Sequence, residues 1–487
     1  MQPNTTRVEV KAPGSDRRTF LKSSVALTAL AGCATVARDD ATLAQLGRTG
    51  PSSRVLLKGG TIVSMDPKVG DLSRGDILIE GARIAAIGPS IDAGGATVID
   101  AANTIVIPGF VDTHRHAWLA AVRGLLPNAD LGNYMAQTHR RLAHFYTPED
   151  MYIGNLMTSL GCLEAGITCL IDNSHNSRTA AHSDAAIKGL ADAGIRAVHA
   201  SGAARDGQWN RQWPADIDRL RKQYFTSEDQ LLTLGMYADL SPELLAFARE
   251  RGLRVSTELS GFAYKGFNEA DGRKQLGPWM VYNHCTGLPD IAWRQLRDTG
   301  GRVNMCPRSD AQYLIGEGLT PIQKAIDAGL KPALSVDGET SYSTSMFTEM
   351  SMAFMMQRAM TANRRFAKDD KPPAPISVRD VLACATINGA ECAGLEAKCG
   401  SLAPGKQADI VMIRTDGGNT FPLNHALATV VNFAEIANVD TVIVGGRVRK
   451  YRGKLVDVDA PKLQRELLAS RDGIFARAGY KHDMFAA

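Results

Sequence analysis

Cysteine, aromatic residues and concentrated charge are all sparse in this chain. The eight cysteines (Cys33, Cys162, Cys169, Cys285, Cys306, Cys384, Cys392 and Cys399) are scattered over 487 residues with no C-x-x-C pair, which excludes a zinc knuckle or redox dithiol and leaves buried thiols as the expected role. Aromatic side chains make up 6% of the chain. A formal charge of +4 is spread thinly, and beyond the N-terminal segment there is no dense Lys/Arg block, so nucleic acid is not an expected partner. The apolar run Val25 to Ala31 is too short to span a bilayer as a mature helix. What remains, 44% hydrophobic and 22% charged residues, is the composition of a globular protein with a large core.

Ser15-Asp16-Arg17-Arg18-Thr19-Phe20-Leu21-Lys22, placed just before that apolar run, resembles a twin-arginine export signal. Two processing modes are open: Leu30-Ala31-Gly32-Cys33 resembles a lipobox, with Cys33 as a lipid anchor, and Ala34 to Ala37 offers a small-x-small cleavage run. A periplasmic protein is expected, held to a membrane only if Cys33 is lipidated. Signal peptide is assigned to 1–37 and linker to 38–53.

Beyond this leader, Arg54–Met65 and Gly75–Gly88 are β-rich with glycine turns, and Ala408–Ile413 and Val439–Arg449 repeat the same grammar. They predict one small β-sandwich domain built from both ends, over 54–107 and 400–456. Between them, over 108–399, short apolar runs alternate with helix-length amphipathic segments, which predicts repeated β/α units on a parallel sheet. Eight strands are expected: Ile107–His114, Ile167–Asp172, Ile195–Ser201, Leu231–Tyr237, Arg254–Leu259, Trp279–His284, Arg302–Cys306 and Lys331–Asp337. Eight such units imply a (β/α)8 barrel, whose chemistry sits where the strands end. A helical tail is expected over 457–487.

The strand ends are rich in ligand-type residues. Strand one ends in His114-Arg115-His116, and the two-residue repeat of a strand aims both imidazoles at one point. Strand two ends in Asp172-Asn173-Ser174-His175, strand five carries Glu258, strand six ends in Asn283-His284-Cys285, strand seven leads to Ser309-Asp310, and strand eight ends in Asp337. Such convergence on one rim predicts a divalent metal site. Trp118, His175, His284 and Asp310 are expected to meet a substrate. Arg115 alternates away from the metal, where it would anchor substrate or make a structural ion pair. His139 and His144 are expected at the surface, and the Met-rich run Met346 to Met360 in a helix core.

Pro108-Gly109-Phe110-Val111-Asp112-Thr113-His114-Arg115-His116, Asn283-His284-Cys285, Ser335-Val336-Asp337 and Gly400-Ser401-Leu402-Ala403-Pro404-Gly405-Lys406-Gln407-Ala408-Asp409-Ile410-Val411 together resemble the amidohydrolase superfamily, in its branch of triazine hydrolases and cytosine or guanine deaminases. The resemblance runs from about Arg54 to Val456. It implies that His114, His116 and Asp337 hold one divalent metal, zinc first and iron or manganese as alternatives, and that His284 faces substrate. It implies hydrolysis, by a metal-activated water, of a non-peptide C–N bond in a small heterocyclic or aromatic compound, with Asp337 taking the proton and His284 steadying the developing charge. A homo-oligomer is expected.

Strand five departs from the pattern. Where the family has a histidine, Arg254-Val255-Ser256-Thr257-Glu258-Leu259 offers none, and the apolar alternation puts Glu258 in its place, a carboxylate that favours harder metals. Thr257 in that register would leave the metal weakly held. Gly261 stands where the deaminases carry a proton-shuttling glutamate, leaving Asp310 or His284 to supply the acid. These departures keep a second reading in view, a lyase or isomerase on the same fold, or a degenerate binding protein.

Overall fold

The computed structural model describes residues 53–205 and 213–485. The arginine pair Arg17-Arg18, the lipobox at Cys33 and the Ala34–Ala37 run lie outside them. Among the described residues no helix is long and apolar enough to cross a membrane.

Five strands open the chain: β1 (Arg54–Val63), β2 (Asp71–Glu80), β3 (Arg83–Gly88), β4 (Thr97–Asp100) and β5 (Thr104–Pro108). The chain then enters eight parallel strands, β6 (Phe110–Arg115), β7 (Ile167–Ser174), β8 (Arg196–Gly202), β9 (Leu232–Tyr237), β10 (Val255–Leu259), β11 (Met280–His284), β12 (Arg302–Met305) and β13 (Ala333–Leu334). It returns through β14 (Ile410–Arg414), β15 (Val439–Val444), β16 (Arg447–Tyr451) and β17 (Lys454–Leu455), which join β1 to β5 in a nine-stranded sheet. The fold is α/β: a TIM barrel with an additional β domain drawn from both ends.

The single run Ile107–His114 expected as strand one is two strands in two sheets. Ile107 pairs with Val411 in the small sheet, whereas Phe110 pairs with Ile167 in the barrel. Gly109 is the joint: a Cβ there would lie 2.0 Å from Thr168 Oγ1, so the chain crosses between sheets where only glycine fits. Strand eight is shorter than Lys331–Asp337, because Pro332 gives no ladder donor and the chain leaves extended geometry by Asp337, at φ 70°.

Helices fill the connections. Pro148–Glu164 carries a complete capping box, Thr147 accepting from the Asp150 amide and Asp150 from the Thr147 amide, with Pro148 at the first turn. The helix Met346–Phe366 buries Met346 and Met350 in the main core but leaves Met355 exposed, so the methionine run is core on one face only. The seven described cysteines are buried and unpaired. The C-terminal helix Ala460–Arg477 lies against Pro148–Glu164, with Ser470 Oγ donating to Asp150 Oδ1 at 2.6 Å.

A buried ion pair fastens the barrel to the small sheet. Arg196, at the start of β8, meets Asp409 through Nε–Oδ2 at 2.6 Å and Nη2–Oδ1 at 2.9 Å, and Asp409 also accepts from the Gly445 amide at 2.8 Å. Both side chains are 1% exposed, so removing one partner strands a charge away from water. Asp409→Ala is expected to lower unfolding stability by about 3–5 kcal/mol in denaturant titration, with much of it regained on adding Arg196→Met. A loss under about 1 kcal/mol, the scale of an exposed pair, would show that the two sheets are held by something else.

Candidate metal centre at the strand ends

His114 and His116 leave β6 with both Nε2 atoms turned to one carboxylate oxygen. Asp337 Oδ1 lies 3.2 Å from His114 Nε2 and 3.1 Å from His116 Nε2. The backbone sets this up: the Asp337 amide donates to His114 O at 2.9 Å, and the His116 amide donates to Asp337 O at 3.2 Å. Asp337 Oδ2 accepts from Ser309 Oγ at 2.6 Å, which fixes the carboxylate plane and leaves Oδ1 facing the imidazoles.

Glu258, on β10, approaches from the other side. Its Oε1 is 3.4 Å from His114 Nε2, and its Oε2 is 3.2 Å from His284 Nε2. Two sets of side chains could each hold an ion, His114 with His116 and Asp337, and His114 with Glu258 and His284. Glu258 is therefore brought to the site, sharing its edge through His114. Thr257 is buried beside it.

The atoms in this cluster ask for a cation. His114 Nε2 and Asp337 Oδ1 are buried without a hydrogen-bond partner, a costly arrangement unless an ion satisfies them together. Two imidazoles and carboxylate oxygens are the donor types of a divalent site. Burial opposes charge on Glu258 and Asp337, but the surrounding histidines outweigh it and hold both carboxyls well below their usual range. For Glu258, Arg205 adds to that effect.

Each imidazole is oriented from behind. His114 Nδ1 meets the side-chain amide nitrogen of Asn173. His116 Nδ1 meets His175 Nε2 at 2.8 Å. Burial, helped by neighbouring His116 and His139, pushes the His175 pKa well below its usual value, so His175 is neutral and its Nε2 accepts from His116. His175 thus touches a candidate ligand rather than substrate.

Three further expectations are corrected by burial. Trp118, expected to meet substrate, is 1% exposed and packs its ring against His175 and Tyr146, because the turn after His116 folds inward. His139, expected at the surface, is buried with its ring 4.8 Å from that of His175, since the segment Met135–Leu142 lies over the barrel mouth. Asp310 is fully buried and reaches substrate space only through His284, whose Nδ1 is 2.9 Å from its Oδ1. His144 is half-buried, and Arg115 is in a buried ion pair with Glu339.

His284 sits at φ 66° and Cys285 at φ 60°, a left-handed pair that turns the imidazole off the end of β11 toward Glu258. Burial opposes its charge, yet Cys306, Asp310 and Glu258 around it raise its pKa well above the ordinary value. Burial in turn pushes Asp310 up to about 6. The pair can hold a proton at Nε2, beside Glu258 and 4.0 Å from Asp337 Oδ2.

A cavity of about 500 Å³ opens beside Glu258, lined among others by Met135, Arg205, Trp213, Tyr237 and Phe262. Arg205 and Tyr237 were not singled out from sequence. Arg205 Nη2 is 3.6 Å from Glu258 Oε1, and its guanidinium lies over the Tyr237 ring at 4.9 Å. Tyr237 closes its strand, so the strand-end rule that exposed the other residues would have reached it.

At Gly261, where the resemblance implies a proton-shuttling glutamate, the backbone leaves no room. A Cβ there would lie 2.6 Å from Gly287 O, and one at Gly316 would lie 2.8 Å from Gly287 N. The Gly261 amide donates to Thr286 O at 2.9 Å. The turns after strands five, six and seven thus meet backbone to backbone, with no space for a glutamate side chain.

Residues 267–449 match the model of the amidohydrolase family. The chain is 27% identical to a 5'-deoxyadenosine deaminase of Methanosarcina mazei over 87% of its own length and 99% of the relative's. It is 26% identical to a 5-methylthioadenosine/S-adenosylhomocysteine deaminase of Moorella thermoacetica, covering 84% and 97%. Among solved structures it resembles an adenosine deaminase from Xanthomonas campestris with bound zinc (TM-score 0.74, 20% identity, covering 88% of this chain and 100% of that one). It also resembles an atrazine chlorohydrolase from Arthrobacter aurescens TC1 complexed with zinc (TM-score 0.73, 21% identity, covering 86% and 100%). Over residues 267–449 the chain is thus similar to the amidohydrolase family, and it shares the barrel fold of the zinc-bound structures.

Proposed function

We propose that the protein is a metal-dependent hydrolase that breaks a non-peptide C–N bond in a small heterocyclic or aromatic compound. The observation that carries this reading is the pair of buried, unpartnered atoms His114 Nε2 and Asp337 Oδ1, 3.2 Å apart, with Glu258 Oε1 3.4 Å from the same nitrogen, next to a cavity of small-molecule size. Relatives along most of its length are named as deaminases of deoxyadenosine and methylthioadenosine, which supports a heterocycle as substrate.

His114, His116 and Asp337, with Glu258 in the place of the usual strand-five histidine, would hold one divalent ion, zinc first given the zinc-bound neighbours. When bound, such an ion supplies an acidified water and a Lewis acid at the strand ends. Asp337 takes a proton at Oδ2, the oxygen that Ser309 orients. His284, kept protonated by Asp310, offers its Nε2 proton to the leaving group or to developing negative charge. Arg205, the cation on the cavity wall, neutralises charge that the carboxylates bring to the site. With Gly261 unable to shuttle, the acid role falls to His284 backed by Asp310.

Export by the twin-arginine route is part of the same reading and rests on Arg17-Arg18 and the apolar run behind them. It is supported by chemistry: seven buried, unpaired thiols suit a chain that folds and takes up metal before it is exported.

Purified protein is expected to carry about one divalent ion per chain by elemental analysis, and to release ammonia from a member of a panel of amino-substituted purines, pyrimidines and triazines. Chelation should abolish that activity, and Asp337→Asn should lower kcat/KM by roughly 10²–10⁴-fold. Activity indifferent to both, in protein with little metal, would sink the hydrolase reading. Glu258→Ala should lose metal, and full occupancy in that variant would remove Glu258 from the ligand set. For export, Arg17→Lys with Arg18→Lys should leave a tagged protein in the cytoplasmic fraction, and unchanged periplasmic delivery would rule out the twin-arginine route.

A further inference from the structure

Replacing an imidazole by a glutamate changes what a metal site must control. An imidazole presents one nitrogen on a ring with two torsions. A glutamate presents two oxygens on a side chain with three, so it needs a fixed partner to present the same oxygen each time. Such a partner is in place. Tyr237, the last residue of β9, donates its hydroxyl to Glu258 Oε1 at 2.8 Å. The β9 and β10 strands are paired in parallel, with Tyr237 beside Ser256, so the phenol arises from the strand next to the glutamate.

The phenol is itself held. Tyr237 is buried, its ring is 5.4 Å from that of His175 and 6.4 Å from that of His116, and the Arg205 guanidinium covers its face. Arg205 Nη2, at 3.6 Å from Glu258 Oε1, is beyond hydrogen-bond distance and contributes charge without fixing direction. Glu258 Oε2 is left with no hydrogen-bond partner, facing His284 Nε2 at 3.2 Å. One oxygen is anchored by the phenol and the other faces the His284 imidazole.

We infer that Tyr237 is a positioning residue that makes Glu258 a workable substitute for the strand-five histidine, clamping Oε1 so that the carboxylate presents itself to the ion in one orientation. The inference rests on the metal reading above. It adds that glutamate and tyrosine act as a unit, so that neither does its work at the ion alone.

The test is a double-mutant cycle on the full mature protein, comparing wild type, Tyr237→Phe, Glu258→His and the double variant. Zinc affinity is read by competition with a chromophoric chelator, and folding by circular dichroism. Tyr237→Phe is expected to weaken zinc binding by roughly 10–100-fold in the wild-type background, the usual effect of losing an outer partner of a ligand. In the Glu258→His background it should change affinity by no more than about twofold, since a strand-five imidazole has no oxygen for the phenol to clamp. Equal losses in both backgrounds would make Tyr237 a packing residue and overturn the inference, as would an unchanged affinity in Tyr237→Phe.

A second measurement needs only the single variant. At saturating cobalt, the visible absorption bands of Tyr237→Phe should differ from those of the wild type, and superimposable bands overturn the pairing. Wild-type protein that holds no stoichiometric ion overturns the metal reading, and the pairing with it. Metal-replete wild type with an unmoved Tyr237→Phe overturns the pairing alone.

Discussion

The closure of the barrel and the assembly of the site are the same event at Asp337. Its amide and carbonyl bond to His114 and His116, so the eighth strand is stitched to the first at the residues that carry the imidazoles. Its left-handed backbone swings the carboxylate across the seam, and Ser309 and the two Nε2 atoms receive it. A shift of the seam by one residue would turn Asp337 away from both histidines, because side chains alternate along a strand. Stability and ligand geometry are therefore held by a shared set of hydrogen bonds.

Around this seam the charges are arranged in layers. Arg115, between the two histidines in sequence, points the other way into Glu339, which also takes Arg123 at 2.6 Å, and burial's cost to each ion is met by the others. Asp112 accepts from the Val336 amide at 3.0 Å and so ties strand one to the approach of strand eight. On the opposite flank Asn173, His175, Trp118 and His139 form a dry backing for the imidazoles. Asn173 and His175 meet the Nδ1 atoms of His114 and His116 directly.

Much of this was legible from the residues. The two-residue repeat of a strand was enough to aim His114 and His116 together, and the alternation around Val255 to Leu259 was enough to choose Glu258 over Thr257 as the residue facing them. Alternation likewise sent Arg115 away from the site. Burial was harder to read. Trp118 and His139 look like ordinary exposed or substrate-facing residues until the segment after His116 and the helix over the barrel mouth fold onto each other, and no local pattern announces that packing. The split of the first strand at Gly109 was hidden for the same reason: what demands glycine is Thr168, nearly 60 residues away. Arg205 follows its strand by a few residues and carries no spacing signal at all.

The backbone contact of Gly261, Gly287 and Gly316 bears on what this rim can carry. A glutamate at 261 would meet the Gly287 carbonyl, so the turns would have to part to admit it. The rim between strands five and seven is therefore closed by main chain, and a proton-carrying side chain could be placed there only by moving the neighbouring turn.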